Sequence, residues 1–257
     1  MNPGADFVST GIILKIKIMT YILGWKSNTS VFISGDMAIT TIGEHPQELS
    51  KQLSSFQEKQ FKASNKKIEE SLQKVLNLDS RLIFGFAGDV KVASDFANNL
   101  SLRAFQAKLK KPDDMVAIIN QSLEDCISVD NMQKVQFIFG VMLEDKPTLF
   151  SYNAFNDCRI LLHEELVQIG SLTKSPLYTN ISAGLSSFFI KGTLPDERMI
   201  ACVNAIIQSY GVHDNLIEKY GVGGAILGVD DRVKSHFDNY ALQECRGQSK
   251  ITAYPTR

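Results

Sequence analysis

The chain has 257 residues, 44% hydrophobic and 21% charged, with a formal net charge of −1. This is ordinary globular composition, with enough apolar material for a sizeable core. The near-zero charge argues against a nucleic-acid partner, no apolar stretch is long enough for a transmembrane helix, and no membrane association is expected. The four cysteines lie far apart without metal-site spacing and the four histidines are scattered, so neither a disulfide framework nor a metal or organic cofactor is expected, and a reducing, cytoplasmic compartment fits.

Residues 1–19 form an extra N-terminal segment. Gly11-Ile12-Ile13-Leu14 is too short for a signal-peptide core, Lys15 and Lys17 interrupt it, and no basic stretch precedes it. Three readings follow: a mis-assigned start with Met19 as the true initiator, a propeptide, or an ordered strand. The first is favoured, because methionine is efficiently removed before a small residue such as Thr20.

Apolar runs at 21–25 and 31–33, joined by Lys26-Ser27-Asn28-Thr29, predict a hairpin that ends on Gly35-Asp36. The strand pattern fades by Thr41, and residues 44–73 are charged and poorly periodic, a solvated loop. Residues 74–78 resume apolar alternation, Asp79-Ser80 turns, and 82–85 is a buried strand. Asp89 caps a helix whose face is Ala93, Phe96, Ala97 and Leu100. A second helix begins at Pro112, with Asp113 and Asp114 in its first turn and Met115, Ile118, Ile119, Ser122 and Cys126 on its face. Strands are predicted at 135–142, 148–152, 158–163 and 166–169. A third helical region lies within 175–189 and a fourth starts at Pro195, with Met199, Cys202, Val203 and Ile206 on one face. Residues 220–229 make a late strand, and from Asp230 onward the chain reads as a polar tail. Strands grouped with strands and helices with helices argue against βαβ units and fit an α+β fold, an αββα sandwich of two stacked antiparallel sheets between helix layers.

A cut between Met19 and Thr20 would make Thr20 N-terminal, placing a hydroxyl nucleophile and an α-amine base on one residue. Such an amine has a pKa near ~8 and is partly neutral at physiological pH. Without the cut, Thr20 is a β-branched strand residue. Three stretches carry a resemblance: residues 20–40 (TYILGWKSNTSVFISGDMAIT), 82–88 (LIFGFAG) and 166–171 (LVQIGS). Together they resemble the proteasome β-type and HslV-type proteases, which are N-terminal threonine hydrolases, over about residues 20–229. The resemblance implies a single four-layer αββα domain over 20–257, with the charged stretch at about 44–73 as an insertion.

The resemblance also implies the site. Thr20 is the nucleophile, and Asp36 falls without a gap at the family's Asp position. Lys74, eleven residues before Gly85, is the preferred catalytic lysine, with Lys67 as its rival. A buried ammonium there would lower the α-amine pKa, and Asp36 would hold the lysine ionised. Ser171 is the accessory serine, with Ser182 as the alternative. The Gly85-Phe86-Ala87-Gly88 loop is read as supplying a backbone N–H to an oxyanion from Gly85, Ala87 or Gly88; it reads equally as a tight strand-to-helix turn. One departure is plain: before Gly223-Gly224, Lys219 and Val222 stand where the proteasome subunits carry Asp and Ser. HslV-type members also lack the full pair. The implied function is peptide-bond hydrolysis through an acyl-enzyme on Thr20, in a homo-oligomeric ring acting on peptides or proteins, with an ATP-dependent unfoldase as candidate partner. Two other readings stay open: a non-catalytic structural homologue, and a small-amide hydrolase on the same fold.

Overall fold

In the computed structural model the opening hairpin pairs β1 (Tyr21–Lys26) with β2 (Ser30–Asp36), Trp25 facing Phe32 and Ile22 facing Gly35. The residues described are 20–36, 38–42, 66–70, 73–79, 81–126, 135–154, 158–174, 179, 183, 226–232, 238–245 and 248–255. The hairpin turn closes by its own hydroxyls: Ser27 Oγ accepts from the backbone N–H of Thr29 and Ser30, at 3.2 and 3.1 Å. Such serine-centred turns are why polar residues separate the two apolar runs.

Further strands follow in chain order: β3 (Ala38–Ile42), β4 (Lys66–Glu70), β5 (Val75–Asp79), β6 (Leu82–Gly88), β7 (Val135–Leu143), β8 (Lys146–Asn153), β9 (Arg159–His163), β10 (Leu166–Gly170), β11 (Ile226–Arg232), β12 (Asp238–Cys245) and β13 (Gln248–Pro255). Among the described residues they form one sheet in the order β10-β1-β2-β11-β12-β13, a second in the order β5-β6-β7-β8-β9, and a separate β3-β4 pair, every pairing antiparallel. The helices α1 (Val90–Gln106) and α2 (Pro112–Cys126) lie where the apolar periodicity places them. The protein is therefore a mixed α+β fold, with two large antiparallel sheets, a separate two-stranded pair and the helices α1 and α2 among these residues.

The central strands read as unbroken apolar runs because both of their faces are covered. Along β7, Val135, Phe137, Phe139 and Val141 join a core with Phe96 and Leu100 of α1 and Met115 and Ile119 of α2. The alternate residues Ile138 and Met142 join Ile22, Val31, Ile33, Val167 and Ile169 of the first sheet in a second core. Phe96 stacks on Phe137 with ring centroids 4.5 Å apart, so the helix layer is keyed to the second sheet by aromatic contact. On the other face of the first sheet Tyr21, Leu23, Trp25 and Phe32 are also fully buried.

Helix starts follow local chemistry. Gly88 takes φ 111° at the end of β6, and Asp89 then caps α1 by accepting the Val92 N–H at 3.1 Å. At α2 the Asp114 carboxylate accepts the Lys110 and Lys111 N–H groups, which lowers its pKa below the ordinary value.

Two segments differ from expectation. Lys66–Glu70, read as part of a solvated loop, is a strand paired with Ala38–Ile42. KKIEE has no apolar alternation, and its pairing comes from a distant partner strand that a local pattern does not reveal. The polar tail from Asp230 instead forms the rest of β11 and the hairpin β12-β13, whose Cys245↔Gln248 register leaves a two-residue connection, Arg246-Gly247. A chain that closes with X-Gly between two extended runs carries a hairpin signal that its polarity obscures. The predicted fourth helix lies outside the described residues. Of the third, only Thr179 and Ala183 are described, both helical.

Candidate active site

Residue Thr20 stands at the start of β1 and is fully buried. Both of its backbone polar groups are held by one neighbour from the far end of β10. Its nitrogen donates to Ser171 Oγ at 3.3 Å, and its carbonyl accepts the Ser171 N–H at 2.7 Å. In the uncut chain this nitrogen is an amide, and it stands where the α-amine of a chain beginning at Thr20 would be. The Thr20 hydroxyl is buried and has no hydrogen-bond partner among the described residues. A buried hydroxyl left so costs about 1–3 kcal/mol. The Ser122 and Tyr152 hydroxyls are likewise buried without a partner among these residues, and what sets Thr20 apart is its place next to the residue that Asp36 holds.

The grip of Ser171 depends on a backbone that only glycine accepts easily. Gly170 has φ 102°, and a Cβ placed there would stand 2.0 Å from the Thr20 carbonyl oxygen. The chain turns from β10 into a short 3-10 turn (Ser171–Lys174) at this point, bringing Ser171 against the first residue of β1.

Beside Thr20 lies a buried ion pair. Asp36, the last residue of β2, accepts the Tyr21 N–H on Oδ1 at 2.8 Å and the Lys74 ammonium on Oδ2 at 3.0 Å. Both charged side chains are fully buried. Lys74 comes from the entry to β5 in the other sheet, where its carbonyl accepts the Phe86 N–H at 3.1 Å. Burial pushes the Lys74 ammonium below its ordinary value of 10.5, and the charge and hydrogen bond of Asp36 offset part of that shift. Removing two ions from water costs several kcal/mol each, so such a pair is weak evidence for stability. A buried, perturbed ion pair linked through Tyr21 to the residue next to an unpartnered hydroxyl makes this place the candidate site.

Four of the residues singled out in the sequence thus form one linked group: Thr20 to Ser171, and Tyr21, next to Thr20, to Asp36 and Lys74. They come from four strand ends and from both sheets. Lys74 is the lysine paired with Asp36; Lys67 lies on β4 in the separate two-stranded sheet, opposite Thr41. Ser182 lies outside the described residues.

The glycine-containing loop needs correction. Residues 82–88 are all strand, so Gly85 is not a loop residue open to substrate. A Cβ on Gly85 would meet Ile22 at 2.8 Å and Ile33 at 2.9 Å, so the close approach of the two sheets is what requires a glycine there. Ala87 is packed in the core between the sheets. Gly88, in register with Val135 where β6 passes into α1, is the one member of the trio that is partly exposed.

Two side chains escaped the sequence reading. Gln168 Oε1 accepts the Tyr21 hydroxyl at 2.6 Å, and Gln136 Oε1 accepts the Gly170 N–H at 2.9 Å. The available signal was a polar residue inside the apolar run Val135-Gln136-Phe137. Among the described residues no group of three or more His, Cys, Asp or Glu could hold a metal, and no helix is long and apolar enough to cross a membrane. No protein-family model matches the chain, and no curated protein matches it significantly.

Proposed function

We propose that this protein is a threonine-type N-terminal hydrolase that cleaves peptide bonds. The observation that carries the reading is the buried, unpartnered Thr20 hydroxyl beside the fully buried Lys74–Asp36 pair. In a chain beginning at Thr20, the α-amine takes the hydroxyl proton directly or through a water molecule. The Thr20 oxygen attacks the scissile carbonyl, the amine returns the proton to the leaving nitrogen, and an ester to Thr20 forms. Water, activated by the same amine, then releases the acid. Lys74, held charged by Asp36, disfavours a second positive charge nearby and keeps a larger share of the amine neutral. Ser171 Oγ, which receives the Thr20 nitrogen in the uncut chain, orients that nitrogen. The backbone at the Gly88 end of β6 is the candidate donor to the developing oxyanion.

A four-layer αββα sandwich belongs to this reading. The full burial of Tyr21, Leu23, Trp25 and Phe32 on the outer face of the first sheet supports a second covering layer, and the helix-periodic sequences at 175–189 and from Pro195 are its candidates. The same reading includes a homo-oligomeric ring with enclosed sites, peptide or protein substrates, an ATP-dependent unfoldase as partner and a cytoplasmic location. A non-catalytic scaffold is favoured by one feature, the Lys219 and Val222 that precede Gly223-Gly224.

Intact mass and N-terminal sequencing of protein made from its native gene context decide between them. A chain beginning at Thr20, hydrolysing peptides and losing both that activity and labelling by a threonine-directed inhibitor on Thr20→Ala, is the expected result. A mature assembly that keeps residues 1–19 leaves Thr20 an internal amide without its base, and the hydrolase reading falls.

A further inference from the structure

The corner that presents Ser171 to Thr20 is held from the other sheet. Gly170 donates its N–H to Gln136 Oε1 at 2.9 Å, while the next residue, Ser171, donates its N–H to the Thr20 carbonyl at 2.7 Å. Gln136 belongs to β7, on the face that carries Ile138 and Met142 into the core between the sheets, and it is only 9% exposed. A polar side chain among those hydrocarbon neighbours is retained for the bond it makes. Its backbone is paired with Ala87, one residue before Gly88. One side chain therefore joins the β10 corner, which fixes Thr20, to the strand end that carries Gly88.

We propose that Gln136 is a positioning residue: through Gly170 it sets Ser171 and Thr20 at a fixed place relative to the Ala87-Gly88 end of β6. The assignment of a catalytic purpose rests on the reading of Thr20 as nucleophile; the mechanical linkage does not. The Gly170 carbonyl accepts the Thr173 hydroxyl at 2.6 Å from within the turn, while its N–H is held by Gln136 from β7, so the acceptor from β7 is what ties this corner to the other sheet. The distance between the nucleophile and the backbone donors of the oxyanion then follows from the packing of the two sheets, which is rigid, rather than from the turn, which is not.

The test is amide hydrogen exchange by NMR on the full chain, with Gln136→Met, which keeps the volume and removes the acceptor, and Gln136→Glu, which keeps an acceptor and adds a charge. In Gln136→Met the Gly170 and Ser171 amides are expected to exchange about tenfold faster, the weight of one hydrogen bond, with the β6-β7 amides unchanged. The kcat for peptide hydrolysis falls while KM holds. In Gln136→Glu protection persists, and the acidic limb of kcat/KM moves to higher pH, because a carboxylate near the Thr20 nitrogen favours its ammonium form. Wild-type protection of Gly170 and Ser171 in a folded Gln136→Met overturns the proposal. If Gln136→Met does not fold, Gln136→Glu decides: loss of Gly170 protection, or an unmoved acidic limb in an active enzyme, overturns it. A wild-type protein without hydrolase activity removes the catalytic reading, and the exchange result still decides whether Gln136 holds the corner.

Discussion

Replacing Asp36 by Asn isolates the buried ion pair, because the Asn oxygen can still accept the Tyr21 N–H while the charge opposite Lys74 is gone. At 3.0 Å and an effective dielectric constant of about 20, the lost attraction is roughly 5 kcal/mol. The penalty has a ceiling, since Lys74 can lose its proton instead. Neutralising a lysine of unfolded pKa about 10.4 at pH 7 costs roughly 4–5 kcal/mol at 1.36 kcal/mol per unit. A loss of about 3–5 kcal/mol at pH 7 is therefore expected. The sign of its pH dependence follows. With Asp36 gone, the folded pKa of Lys74 is depressed further, so the unfolded chain binds the extra proton between the two values. Stability of the variant then rises with pH by up to about 1.4 kcal/mol per unit until the unfolded pKa is reached. Urea unfolding followed by Trp25 reads this out. Trp25 is the chain's one tryptophan, and it is fully buried and stacked on Phe32 at 5.1 Å. Adding Lys74→Met to Asp36→Asn should restore most of the loss, since the unpaired charge disappears. A loss under about 1 kcal/mol for Asp36→Asn, or a gap to wild type that stays flat with pH, would show that Lys74 does not lie buried and charged against Asp36.

Gly170→Ala forces a Cβ toward the Thr20 carbonyl at a positive φ. It should cost about 2 kcal/mol or more in urea unfolding and release the Ser171 N–H bond; a stability equal to wild type would mean the corner is not fixed as described. His163 on β9 shares a 2.7 Å hydrogen bond between its Nε2 and Ser151 Oγ, and burial holds its pKa below the ordinary 6.5. The folded ring is neutral where the unfolded one protonates, so its contribution is fully present above about pH 6.5 and is lost as pH falls from there through the lower pKa of the folded ring. The urea midpoint should drop between about pH 7 and 5 in wild type and drop less in His163→Gln; equal drops would remove His163 as the cause.

The parts of the fold legible in the sequence were those governed by local terms. The Asp89 cap, Pro112 with its acidic first turn, and the apolar runs of β1 and β2 on either side of a polar turn all act within a few residues, and each element appears where those signals place it. What was hidden depends on distant partners. Lys66–Glu70 is a strand because Ala38–Ile42 lies beside it. Gly85 closes the predicted strand at 82–85 and falls in a substrate loop by the resemblance alone; only the arrival of Ile22 and Ile33 from the other sheet shows that packing requires a glycine there. The site divides along the same line. Thr20, Asp36, Lys74 and Ser171 were singled out through motifs, whereas Gln136 is defined by the Gly170 corner of the other sheet and Gln168 by Tyr21 on the neighbouring strand, and a local pattern does not name those partners.

The Thr20 hydroxyl allows function and fold to be separated in one substitution. Thr20→Val is isosteric and replaces the oxygen with a methyl group. If Oγ1 served the fold, its loss would leave a donor or acceptor unpaired and destabilise the protein by about 1–3 kcal/mol. Oγ1 instead has no partner among the described residues, so the same change relieves an unsatisfied buried polar atom. Thr20→Val should therefore gain stability, by about 1 kcal/mol, in urea unfolding monitored at Trp25, while abolishing peptide hydrolysis. A residue whose removal strengthens the protein and ends its activity is retained for chemistry. A Thr20→Val protein that is less stable than wild type by a kcal/mol or more would place the hydroxyl in the structure's own hydrogen bonding. The strongest physical reason for assigning it to catalysis would then be gone.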